Sequence, residues 1–85
     1  MKVYIVMGES LEYHVTNVVK VFADRLKAKA YIGDSVTDMA DRLNKNNVGV
    51  EYMVEHINDT MSVCALDNGE MERVYIYWIT EKEVE

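Results

Sequence analysis

The sequence predicts an α+β fold: an antiparallel sheet of four to five strands with two helices packed on one face. Three observations lead there. Runs rich in Val, Ile and Tyr, of strand length, lie toward both ends of the chain. A central block carries helix-forming residues and an apolar stripe at helical spacing. Asn- and Gly-containing turn signals separate the later strands tightly enough for hairpins. The expected order is β-β-α-α-β-β-β.

Taken in order, Lys2 to Met7 reads as a strand bounded by Gly8. It is apolar on both faces, as expected of a strand covered on both sides or partly covered by a partner. Gly8 to Tyr13 reads as a loop or wide hairpin turn, and Val15 to Phe22 as the second strand. Asp24 is a suitable N-cap for a first helix in which Leu26, Ala30 and Ile32 could face the sheet. Gly33 sits where a C-cap glycine belongs. Asp34-Ser35 can start a second helix, Ser35 with Asp38 approximating a capping box. Val36, Met39, Ala40 and Leu43 form its stripe, and Asn44-Lys45-Asn46-Asn47 ends it. Val50 to Ile57 is a strand, Asn58-Asp59 a turn, and Met61 to Leu66 a short apolar run. Asp67-Asn68-Gly69-Glu70 is the strongest hairpin signal, and Glu72 to Thr80 the last strand. Glu81 to Glu85 reads as a frayed polar tail.

Length and composition bound the rest. The 85 residues make one domain, 1–85. A chain this short buries only roughly 60–65% of its unfolded surface, so it needs most of its apolar residues for packing. There is no proline, which leaves turns to Gly, Asn, Asp and Ser. Cys64 is the only cysteine and can make no internal disulfide. The N-terminal apolar run stops at Gly8-Glu9, short of a secretory core, and no stretch reaches a membrane span. The expectation is a cytoplasmic protein.

The net charge is −6 and unevenly spread. Residues 1–33 carry five basic and three acidic residues, net +2; residues 34–85 carry four basic and twelve acidic, net −8. That balance argues against direct nucleic-acid binding. It leaves two readings: an acidic surface that meets a basic partner, or charge that keeps a small domain soluble.

Most catalytic patterns are missing. Gly8 is the only glycine in the loop after the first strand, so neither the dinucleotide fingerprint nor the P-loop is present. There is no G-x-S-x-G elbow. Cys64, His14 and His56 lack paired zinc-ligand spacing. Cys64 as a nucleophile would need His56 brought beside it by strand pairing; the alternative is a buried cysteine used as a small apolar residue. Asp34, Asp38 and Asp41 fall at helical spacing and could hold a cation, although Asp34 and Asp38 also suit a helix N-terminus. No cofactor and no catalytic residue is expected. His14, near Glu9 and Glu12, is either a pH-sensitive contact or a solvated loop residue. Glu9, Ser10 and His14 form a candidate ligand loop in a homodimer cleft.

The candidate partner-binding surface is the sheet face away from the helices. With Val74, Ile76 and Trp78 toward the core, Tyr75 and Tyr77 point outward, joined by Met53 and rimmed by Glu51, Glu55 and Arg73. Aromatic and Met residues with a charged rim are typical of interaction surfaces. The alternatives are that the opposite face is the core, or that a second copy covers this one.

Three stretches carry a family resemblance: Lys2-Val3-Tyr4-Ile5-Val6, Val18-Val19-Lys20-Val21-Phe22 and Lys27-Ala28-Lys29-Ala30-Tyr31-Ile32. Together, and with the closing Glu81-Lys82-Glu83-Val84-Glu85, they resemble a group of small uncharacterised bacteriophage and prophage proteins. The likeness covers the first third of the chain and the last strand; the second helix and the Met61–Glu72 hairpin depart from it. It implies a small phage-encoded accessory protein acting in a host cell, and no catalytic residues. The expected function is a non-enzymatic protein that binds and modulates or inhibits a host protein, in host takeover or anti-defence. The partner would be basic or itself nucleic-acid-binding, with no membrane contact. The alternatives are a small-ligand-binding homodimer or minor enzyme, and a structural or assembly protein.

Overall fold

The computed structural model describes all residues, Met1–Glu85. The elements run β1 (Lys2–Ser10), β2 (Val15–Phe22), α1 (Arg25–Asn46), β3 (Glu51–Ile57), β4 (Thr60–Asp67) and β5 (Glu70–Glu83). All five strands form one antiparallel sheet in the order β2-β1-β5-β4-β3, and the single helix lies across one face. The α+β class and the five-stranded antiparallel sheet match expectation. The two-helix order does not.

One helix forms where two were expected because Gly33 lies inside it. Ala28, Ile32, Val36 and Ala40 are all buried and recur every four residues straight through the glycine. That unbroken stripe, laid on the sheet, outweighs the roughly 1 kcal/mol that an interior glycine costs. Ser35 is therefore a helix-interior residue and caps nothing. Leu26, expected to face the sheet, is 74% exposed, because the stripe runs through Ala28 instead. The true N-cap is Asp24, whose carboxylate accepts from the backbone N–H groups of Leu26 and Lys27.

Both ends of α1 are tied to the sheet. At its start, Arg25 and Lys29 pair with Asp59 in the turn between β3 and β4, and Arg25 also approaches Glu81 of β5. At its end, the Asn44 side chain accepts from the Tyr52 N–H at 2.7 Å and donates to the Tyr52 carbonyl at 2.9 Å. Asn44 thereby stands in for a further strand along the edge of β3, covering groups an edge would leave open.

The hairpin turns follow the local chemistry. Asn68 and Gly69 both adopt positive φ in the tight β4–β5 turn, as Asn-Gly is suited to do. Asn58 takes positive φ in the β3–β4 turn, and His14 closes the β1–β2 connection the same way. Two predicted breaks are absent. β1 runs through Gly8 to Ser10, and β5 runs through the supposed tail to Glu83, where Lys2 pairs with Glu83 and Tyr4 with Glu81.

Candidate functional site

The faces of the sheet follow from register, since antiparallel partners share a side. Val6 pairs with Ile79, Gly8 with Tyr77 and Ser10 with Tyr75; Met61 pairs with Tyr77 and Val63 with Tyr75. This set lies under the helix. Val6, Val63 and Tyr77 belong to the buried core with Ala28, Ile32, Val36 and Ala40, while Tyr4, Tyr75 and Ile79 pack against it.

Two of the expected outward residues are therefore turned inward. Tyr77 is 7% exposed, and Tyr75 is half-buried beside it with ring centroids 4.8 Å apart. Burial, with Tyr75 and Tyr31 nearby, pushes the Tyr77 hydroxyl up to about 12. The cause of the inversion is space. The facing helix presents small residues at Ala28 and Ala40, and Gly8 leaves room for a ring on the sheet itself. A Cβ at Gly8 would stand 2.7 Å from the Tyr75 hydroxyl and 3.0 Å from Val19. Gly8 is thus a point of close approach inside a strand. Of Val74, Ile76 and Trp78, expected in the core, only Val74 packs there, displaced by an irregularity in the β4–β5 pairing next to Cys64.

The opposite face has no element of the chain above it. Along β1 it presents Val3, Ile5, Met7 and Glu9, opposite Lys82, Thr80, Trp78 and Ile76 of β5. On β2 it carries Val18 and Val21, which are 61% and 53% exposed. On the far side it carries Leu66 of β4 and Glu51, Met53, Glu55 and Ile57 of β3, together with Ser62 and Cys64 of β4, which are buried within the single chain. β5 is the middle strand of five, so Trp78 stands near the centre of this bare face, with Ile5, Met7 and Ile76 around it.

Four of the six expected contact residues, Glu51, Met53, Glu55 and Arg73, do share this bare face. Arg73 donates to Glu55 at 2.7 and 3.0 Å, so these two charges satisfy one another. Sequence reasoning missed Trp78, Ile76, Ile5 and Met7. The available signal was the double-sided apolar pattern of the first and last strands.

The other sequence candidates do not converge. Cys64 pairs with Met53 while His56 pairs with Met61, which puts them on opposite faces of the sheet. Burial raises the Cys64 thiol, with Glu55 adding to the effect and Arg73 opposing it, so the thiolate is disfavoured. Of the candidate ligand loop, Ser10 accepts from the Tyr13 N–H and lines a shallow groove of about 170 Å³ with Glu12, Met39, Leu43, Tyr52, Val74 and Tyr75. Glu9 projects to the bare face, and His14 is exposed in the turn. Asp34, Asp38 and Asp41 are exposed on α1, and Asp38 pairs with Arg42. No group of three or more His, Cys, Asp or Glu side chains is placed to hold a metal ion. No helix is long and apolar enough to cross a membrane.

Comparison with protein-family models, with curated proteins and with solved structures finds no match.

Proposed function

We propose that this protein acts by contact and not by catalysis, as a small phage-type accessory protein that docks on a host protein and modulates or inhibits it. The observation that carries the contact reading is the bare apolar face centred on Trp78. Part-exposed Ile5, Met7, Ile76 and Trp78 on one face, with Glu9, Glu51, Glu55, Arg73 and Lys82 around them, have the make-up of a protein interface. The phage setting rests on the resemblance in the first third of the chain and the last strand.

The acidic residues supply a second contact, separate from the bare face, and it is this one that the reading assigns to the host protein. Asp34, Asp38 and Asp41 on the helix and Asp67, Glu70 and Glu72 around the last hairpin are all exposed and lie off the bare face. They suit a basic host protein, including one whose own ligand is a nucleic acid.

The test is capture from the lysate of a plausible host, followed by binding measurements on the purified target. Saturable binding that weakens with salt, and at least tenfold on reversing Asp34, Asp38 and Asp41 together, is expected. A ligand-dependent thermal shift with small metabolites, and no protein captured, would favour the small-ligand reading instead.

A further inference from the structure

We propose that the bare sheet face is covered by a second copy of the same chain, packed face to face about a twofold axis near Trp78. This rests on the contact reading above and names the occupant of that surface. Three observations select a second copy.

The first is charge. The chain carries −6, yet this face holds only Glu9, Glu51 and Glu55 against Arg73 and Lys82, a net of −1. Glu55 and Arg73 are already paired with each other. The acidic surplus has been kept off the one surface that would have to meet itself. A basic partner finds little to recognise here, whereas an identical face meets almost no like-charge repulsion.

The second is area. Five strands about 4.8 Å apart and about eight residues long present a face on the order of 600 Å². Two such faces bury roughly 1,200 Å², at the lower end of standard stable interfaces. The arrangement is self-complementary in kind, with an aromatic and aliphatic centre and a polar rim.

The third is the thin core. Only 10 of 85 residues are buried, and two of the seven in the main cluster are alanines. A helix on one side of a five-stranded sheet leaves a domain of this size short of buried apolar surface. A second sheet across the open side forms a four-layer helix–sheet–sheet–helix particle with the apolar residues of both faces inside.

The experiment is sedimentation equilibrium of the full chain over a wide concentration range, on the native sequence, Thr80→Arg and Thr37→Arg. Thr80 is exposed beside Ile5 in the bare face, and Thr37 is exposed on α1. The native chain and Thr37→Arg are expected at about twice 9.8 kDa. Thr80→Arg is expected at the monomer mass with its helical circular dichroism retained, its dissociation constant raised at least a hundredfold. Should Thr80→Arg lose its dichroism, Val21→Lys on the exposed edge strand takes its place, with at least a tenfold weakening expected. A native chain that stays monomeric at high micromolar concentration overturns the proposal, as does a dimer that neither variant weakens. A monomer that still binds a host protein overturns only this inference; a dimer that binds none overturns only the host-protein reading.

Discussion

On the helix side of the sheet, Val6, Val63 and Tyr77 lie against Ala28, Ile32, Val36 and Ala40. On the other side, Ile5 and Met7 alternate with Val6 along β1, Ile76 and Trp78 alternate with Tyr77 along β5, and none of the four has an element of the chain above it. The two faces differ little in apolar content and greatly in cover. What separates them is shape and charge. The helix side holds Gly8 beneath Tyr75 and alanines above, so large rings have somewhere to go. The bare side is nearly neutral and centred on the only tryptophan. In the proposed face-to-face pairing, the apolar pattern of the strands would report burial in an assembly of two chains.

The largest expected effect comes from Ile32→Ala. Ile32 is 2% exposed under the helix, and its truncation is expected to cost about 2–5 kcal/mol. Urea unfolding should show this loss at every protein concentration. Ile5→Ala, on the bare face, should show a loss that grows with concentration, because its burial depends on a second molecule. Concentration-independent losses at both positions would erase the distinction between the faces.

Gly8→Ala comes next, at about 1–3 kcal/mol, because the new methyl group crowds Tyr75 and Val19. Adding Tyr75→Phe removes the nearest atom, so the double variant should recover part of the lost melting temperature. No recovery would mean that Tyr75 is not what Gly8 makes room for.

Tyr77 gives the helix side a pH signature. Its folded pKa of about 12 lies above the ordinary value of 10. The stability it contributes is full below pH 10 and is lost as pH rises from there through about 12, a change on the order of 2 kcal/mol. Tyr77→Phe should flatten that part of the stability profile in urea titrations; an unchanged slope would assign the loss to other groups.

Gly33→Ala has the smallest effect and the opposite sign. A Cβ at Gly33 meets nothing within 4 Å, so removing glycine's backbone freedom from the helix should add about 0.5–1 kcal/mol. A lower melting temperature would show that the helix needs flexibility there.

Elements defined by local chemistry were legible in the sequence. β2 has its predicted bounds, Asp24 caps the helix, and the Asn58 and Asn68-Gly69 turns fall where positive φ is easiest. What failed depended on tertiary context. Gly33 has a real local preference for a helix stop, but the stripe on either side of it shares one packing surface. The parity of β5 was misread because both of its faces are apolar and a one-residue slip exchanges them. The bulge that carries Val74 to the helix side, out of step with Ile76 and Trp78, made Val74 a misleading guide. The better clue lay in volumes: glycine and alanine opposite tyrosines, and nothing small opposite Trp78. For the candidate surface, alternation alone places Glu51, Met53 and Glu55 on one face, whereas Arg73 joins them only through the bulge that separates it from Tyr75 and Tyr77, and the apolar centre reads as core.

Because Trp78 is the only tryptophan and stands near the centre of the bare face, its fluorescence reports that surface alone. The most direct measurement is acrylamide quenching of the unmodified chain as it is diluted from high micromolar to nanomolar concentration. The account predicts a blue-shifted, quencher-protected emission at high concentration that becomes red-shifted and accessible on dilution, while the helical circular dichroism persists at concentrations where the emission has begun to shift. Emission that is accessible to quencher and unchanged across the whole range would contradict it.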